Sequence, residues 1–402
     1  MKIAWRNLWR NKLRTGVLLV SIILGLWGSM FFMGLMQGMN RVRISSSINT
    51  YLSHIQIHNK SYIEDPVLEN FIDTPGAYTD FLLGQEQVKA FSPRLITDAM
   101  VSSSKGSFPI KLIGIDPTAE ASLSEIKGKL QEGSYLNRYK KPTVVIGRAL
   151  AEKLGVKLRS KVKFNFANLQ GDILAYGFRV EGIYKINNLM IEKSYVYIAR
   201  EKLAEILNTG EQINEIKILT RNIKKIDGFK KELEKINPRN SIRTWDEIDP
   251  ELGYAQDMMM TFTLIFMSIV LIALAFGIIN AMLMAVLERR RELGILMAIG
   301  LNKAKVFRMI VAETFFLILI ATPAGMGLAY ATIRYFGIHG LKFIGVEKGM
   351  EAWGIGRVIY TDMPAKYYWI ITAMIVLTTF IAALFPARRA LKTEILESIR
   401  DV

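Results

Sequence analysis

The sequence predicts an α-helical membrane protein with four transmembrane helices and an α+β extracytoplasmic domain, in two subdomains, inserted between helices 1 and 2. Three observations predict it. Four uncharged or nearly uncharged stretches are each long enough to cross a bilayer, which takes about 20 residues. Between the first and second lie some two hundred residues in which strand-like and helix-like segments alternate. Basic residues are concentrated in the short segments that flank the spans. A chain of 402 residues that is 51% hydrophobic yet 22% charged, with a mean hydropathy of +0.23, fits apolar spans joined to a sizeable polar domain.

The elements follow in order. Residues 1–14 form an amphipathic helix, with Ile3, Trp5, Leu8, Trp9 and Leu13 on a broad apolar side and Lys2, Arg6, Arg10 and Arg14 elsewhere. Such a helix lies in the membrane interface, its Trp rings at headgroup level. Span 1 and its stalk occupy 15–49. The uncharged part, Gly16–Met39, exceeds the apolar core of a cleaved signal, and no small-x-small cleavage site precedes Asn40, so a retained anchor is expected. The domain covers 50–246. Its outer subdomain is expected at 50–118 with 212–246, and an inserted one at 119–211. KVKFNF turning through NLQGD into ILAYGFRVEGIY predicts a hairpin.

A second stalk and span 2 occupy 247–287, with Asp246 near the N-cap and Pro250 in the first turn. At 1.5 Å per residue a helix from about 249 to 287 is roughly 58 Å long, several turns more than the ~30 Å hydrocarbon core. A loop helix over 288–304, span 3 over 305–334, an extracytoplasmic loop over 335–366, span 4 over 367–387 and a tail over 388–402 complete the chain.

Charge fixes the expected orientation. Residues 1–15, 288–308 and 388–402 hold 15 basic against 5 acidic side chains, whereas 40–257 holds 32 against 27. Short basic loops stay in the cytoplasm and long domains cross largely regardless of charge. Both termini are therefore expected in the cytoplasm, with the large domain on the far side of the membrane. The net charge of +16 is a topology signal, and no nucleic-acid partner is expected.

Composition removes most chemistry. With no Cys and three His, disulfides, thiolate zinc sites, iron–sulfur clusters and a nucleophilic Cys are excluded, and no metal site is expected. There is no G-x-x-x-x-G-K-[ST], no H-E-x-x-H and no G-x-S-x-G. Lys127-Gly128-Lys129 lacks the upstream Gly and the Ser/Thr of a phosphate loop. His54 and His58 sit four residues apart in a strand, about 13 Å, too far for one ion.

The most informative stretch is ERRRELGILMAIGLNKAK, 288–305. Leu293, Leu296, Met297 and Gly300 form an apolar stripe at i, i+3, i+4, i+7, opened by Arg289, Arg290 and Arg291. A short amphipathic helix of this kind suits a groove on another protein, and equally a helix lying on the membrane surface. Glu313, two to three turns into span 3, is an intramembrane ionisable residue and hence a functional candidate; proximity to Arg308 and the helix N-terminus would also account for it. Small residues such as Gly34 and Gly38 let helices approach closely. Eight methionines lie at one depth of spans 1 and 2. Thioethers repack around variable shapes, so Met33, Met36, Met39, Met259, Phe262 and Phe266 are candidates for a lateral amphiphile pocket; ordinary packing is the alternative.

ERRRELGILMAIG, the early Glu313 and the terminal FPARRALKTEILESIR resemble the MacB/FtsX/LolC-type permeases of ABC transporters. KLIGIDP and VVIGRALAEKLGV look like the lipoprotein-releasing LolC/LolE branch. The resemblance covers nearly the whole chain and implies that 288–300 is a coupling helix docking on a separately encoded P-loop ATPase. Arg289, Arg290, Arg291, Glu292, Leu293, Gly294, Leu296, Met297 and Gly300 would lie at that interface. It implies no cofactor in this chain, ATP and Mg being bound by the partner, and no catalytic residue. It further implies a second permease subunit, in a homodimer or heterodimer, and a lipoprotein or lipid substrate extruded from the outer leaflet by motion carried along the stalks. The chain departs from the family at 165–176, compact and proline-free where LolC-type subunits extend a hairpin to a periplasmic carrier; such a handover would fall to a partner subunit. The alternative within the family is an FtsX-like signalling subunit that activates an extracytoplasmic hydrolase.

Overall fold

The computed structural model describes residues 5–6, 9–10, 12–136, 142–299, 301–343, 345, 349 and 358–391. The chain divides into two compact units, a helical one (1–41, 256–342 and 358–402) and a β-rich one (42–255 with 343–357).

Among the described residues, four helices, lying largely in the first unit, are long and apolar enough to cross a membrane. They are α1 (Lys12–Ser47), α2 (Pro250–Glu288), α4 (Lys303–His339) and α5 (Ala365–Ala390); the short helix α3 (Arg290–Ala298) joins α2 to α4. The expected stalks are continuous helix, since α1 and α2 each pass beyond the span needed to cross a bilayer. α2 starts after Asp249, whose Oδ1 accepts the Leu252 amide at 3.0 Å. Asp249 therefore takes the capping role assigned from sequence to Asp246, which lies instead in a separate turn, Trp245–Ile248, closed by a Thr244/Glu247 capping box.

The apolar face of α1 buries Leu18, Ile22, Leu26, Met30 and Met33 against α2, α4 and α5. Small residues set the closest approaches. A side chain at Gly325 would strike Leu26, and one at Gly38 would strike the Tyr360 carbonyl. The segment before α5 is held to α1 by the Asp362 amide donating to Gly34 O at 3.1 Å and by the Arg41–Asp362 ion pair. α4 runs through Pro323 and ends five residues later than span 3 was expected to, so Arg334 stands within the helix.

The β-rich unit is built on one ten-stranded sheet. Its strands are β1 (Ile55–Asn59), β2 (Val88–Ser103), β3 (Gly106–Ile115), β4 (Leu130–Gly133), β5 (Thr143–Gly147), β6 (Lys161–Ala167), β7 (Ile173–Tyr184), β8 (Tyr195–Ala199), β9 (Glu215–Thr220) and β10 (Asn240–Thr244). The order is β10-β1-β9-β2-β3-β8-β5-β7-β4, with β6 bridging β2 and β7. β6 and β7 form the expected hairpin, Ala167 opposite Ile173.

Hydrogen bonding draws the join between the halves of this unit elsewhere than at 118/119. The first half of β2 pairs with β9 through Arg94, and the second half pairs with β3 and β6. β3 in turn pairs in parallel with β8. One core gathers Ile55, Ile57, Tyr78, Ile216, Phe229 and Ile242. Another gathers Leu95, Leu112, Val144, Phe164, Phe178 and Val196. A single sixteen-residue strand thus belongs to both cores, and the change-over falls near residue 94.

Candidate functional site

The loop between α2 and α4 gathers most of the site residues proposed from sequence. Arg289 caps α3 and is nearly buried, its Nη1 donating to Glu313 Oε1 at 3.2 Å. Glu313 therefore answers to a cation from the loop rather than to Arg308 one turn away. At the exposed edge Arg10 Nη2 donates to Glu292 Oε2 at 2.5 Å, tying the N-terminal helix to α3; so exposed a pair adds little stability.

The apolar stripe does not face outward. Leu293 is 6% exposed and Met297 8%, both packed into the core of the helical unit, and Gly294 is buried beside them. Arg290 is half-buried and Arg291 exposed. The outward face is carried by Arg291 and Glu292, then Ile295 at 43% and Ile299 at 80% exposure. Leu293 and Met297 thus seat α3 in the bundle. The sequence assigns the stripe to a partner because periodicity identifies an apolar face without saying what covers it. Gly300 and the side chain of Leu296 lie outside the described residues.

The six candidates for an amphiphile pocket differ in exposure. Met33 is buried in the bundle core; Met36, Met39 and Met259 are half-buried; Phe262 and Phe266 are exposed on α2. The contact that joins the two helices here is Phe266 stacked on Phe32, ring centroids 3.8 Å apart. None of the six lines the cavity of about 690 Å³ found between α4 and α5.

The β-rich unit holds a charged cluster that sequence reasoning missed. Arg94, 1% exposed, donates from Nη2 to Glu120 Oε1 at 2.5 Å, from Nε to Glu120 Oε2 at 3.0 Å and from Nη1 to Glu215 Oε2 at 3.2 Å. Lys217 lies 3.6 Å from Glu215 and donates to the Tyr51 carbonyl. The Tyr51 hydroxyl donates to Asp249 Oδ2 at 3.0 Å. His58 Nδ1 lies 2.9 Å from Asn214 O. Tyr51, His58, Arg94, Glu215, Lys217 and Asp249 border a cavity of about 270 Å³. Burial drives the His58 ring below its ordinary value, keeping it neutral. Burial opposes ionisation of Glu215, but Lys217 and Arg94 outweigh it and hold that carboxyl low.

Burial first, then the Arg94 guanidinium, lower Lys217 to about 8. Between pH 8 and the unfolded value near 10.5 the unfolded chain keeps a proton that the folded one has lost, so stability rises with pH across that window. Unfolded tyrosines ionise near pH 10 and reverse the trend. Measured against Lys217→Met by thermal unfolding in detergent, the intact protein is therefore expected to gain about 1–2 kcal/mol from pH 8 to 9.5, the tyrosines acting equally on both.

Among the described residues no group of three or more His, Asp or Glu is placed to hold a metal ion. His54 accepts from the Thr220 amide at 3.0 Å, a structural contact.

Comparison with known proteins follows this architecture. The family model for the MacB-like periplasmic core domain matches residues 15–236, and that for the FtsX-like permease C-terminal region matches 264–395. The chain is 22% identical to the lipoprotein-releasing system transmembrane protein LolC of Xylella fastidiosa strain 9a5c, over 78% of each chain. It is 21% identical to LolE of Haemophilus influenzae, over 93% of this chain and 91% of that one. The crystal structure of the periplasmic region of MacB from Actinobacillus actinomycetemcomitans aligns with 52% of this chain and 97% of its own, at 14% identity and a TM-score of 0.37.

Proposed function

The chain belongs to the ABC transporter permeases of the LolC/LolE/MacB type, and from that premise we propose that it is the subunit through which a separate ATPase drives release of an amphiphile, most sharply a lipoprotein, from the outer leaflet of a bacterial inner membrane. Both termini and α3 lie in the cytoplasm in this reading, as the basic flanks suggest, and the β-rich unit lies outside. The observation that carries it is the two-sided seating of α3. Leu293 and Met297 anchor one face in the bundle while Ile295 and Ile299 stand exposed on the other.

ATP and Mg stay on the partner, and no residue of this chain does covalent chemistry. Closure of the ATPases displaces α3 through its outward face. The Arg289–Glu313 pair links the start of α3 to α4, so α3 does not move alone. α1 and α2, about 54 and 58 Å long by helix rise, carry that displacement beyond the ~30 Å core. A second permease subunit supplies the other half of the transporter.

Purification of the intact protein in mild detergent is expected to bring down a P-loop ATPase in stoichiometric amount. The double variant Ile295→Asp/Ile299→Asp should lose it with the unfolding temperature unchanged, whereas Leu293→Asp, aimed at the inner face, should destabilise the chain itself. An acylated lipoprotein added to the reconstituted complex should raise its ATP hydrolysis. Absence of any ATPase from the folded protein rejects the coupling, and an ATPase indifferent to lipoprotein rejects the substrate.

A further inference from the structure

The helical unit contains a cavity of about 690 Å³ between α4, the segment 361–363 and the start of α5, within the roughly 300–1,000 Å³ of small-molecule sites. Its walls are apolar and aromatic, among them Met326, Tyr330, Ile333, Met363, Tyr368 and Trp369. Two glycines shape it. A side chain built on Gly327 would meet nothing within 4 Å, so the groove is open at that level; one built on Gly337 would press on the Thr361 carbonyl at 2.8 Å, so that glycine lets the 361–363 segment close over the end. Tyr330 and Tyr368 touch across the groove, ring centroids 6.2 Å apart.

The charges sit at one end of this slot. Arg334 lines it and is exposed, with no carboxylate paired to it among the described residues. Asp362, the acidic residue of the lining, is already neutralised by Arg41. The local balance is therefore one positive charge at the mouth of an apolar slot, next to Trp369, which is 69% exposed. Trp and Tyr prefer the headgroup level of a bilayer, and a basic side chain at that level attracts anionic lipid by about 1 kcal/mol.

We propose that this cavity is a binding site for an anionic phospholipid, with an acyl chain along Met326 and Tyr330 and the phosphate on Arg334. None of the methionine and phenylalanine candidates on α1 and α2 lines the site, and it needs neither the ATPase nor a transported substrate. Its test therefore stands apart from the transport reading.

The intact protein in detergent, titrated with dioleoylphosphatidylglycerol or dioleoylphosphatidylcholine and read by native mass spectrometry, provides that test. The anionic phosphatidylglycerol should bind several-fold more tightly. Arg334→Gln, on an exposed position, should remove about fivefold of that preference while leaving phosphatidylcholine binding in place. Gly327→Leu, which fills the slot and favours helix, should weaken both lipids at an unchanged unfolding temperature. Equal binding of the two lipids, or a preference that survives Arg334→Gln, overturns the proposal. So does a Gly327→Leu variant that changes oligomeric state with lipid binding unmoved, which would give the cavity to a second copy of the chain.

Discussion

Replacing Arg94 with methionine is expected to destabilise the β-rich unit by about 3–5 kcal/mol, the usual cost of breaking a buried ion pair from one side. Glu120 is fully buried and holds Arg94 through both carboxylate oxygens, and Glu215 is 5% exposed. Without the guanidinium, Glu120 loses both of these charge-assisted bonds and Glu215 is left with Lys217 and the neutral His58. Arg94→Lys should recover little, because an ammonium cannot present the planar fork that grips Glu120 from two sides. Adding Glu120→Gln to Arg94→Met should restore part of the loss by removing the stranded charge. Urea unfolding of the intact protein in detergent measures all three. A single variant within 1 kcal/mol of the parent would mean that water reaches the cluster.

The second large effect belongs to the helical unit. Arg289→Leu is expected to cost about 3 kcal/mol, since it removes the guanidinium 3.2 Å from the half-buried Glu313 carboxyl group on α4. Arg289→Leu/Glu313→Leu should regain most of that stability, because a well-packed apolar pair often replaces a buried ionic one at no loss. The same double variant separates stability from coupling. If α3 passes motion to α4 through this pair, the stable double variant should still bind its ATPase yet lose substrate stimulation. Retained stimulation would leave the pair a purely structural role.

The spans, the long continuous helices and the β6–β7 hairpin were legible in the sequence because each rests on a local signal: an uninterrupted apolar run, a period, or turn chemistry between two alternating strands. The buried cluster was not. In β9, EIKILT alternates charged and apolar residues, which on its own predicts one solvated face. Both faces are covered, every residue of the strand being buried, because the helix Pro117–Leu123 brings Glu120 onto Arg94 from a distance in sequence. That pairing joins residues 26 and 121 apart, and no window of sequence contains it. α3 failed in the opposite way: its apolar face was identified, but its covering was assigned to another protein when the chain supplies it. Arg289 and Glu313 were each singled out, yet their partnership depends on how α2 turns into α4.

The strands that adjoin the two long helices are neighbours, and this fixes how the β-rich unit takes load. β1 begins three residues after the π-turn Ile48–Leu52 that ends the first helix, and β10 ends six residues before α2 starts. They pair antiparallel with Ile55 opposite Thr244, so both helices attach at the same end of one ladder. A force that spreads the helices apart acts on that end as a zipper is pulled, on one rung at a time. The Tyr51–Asp249 hydrogen bond and the Trp245 amide to His54 carbonyl bond stand ahead of the first rung. Parting of β1 from β10 at this end is thus the direction in which the β-rich unit opens with least resistance.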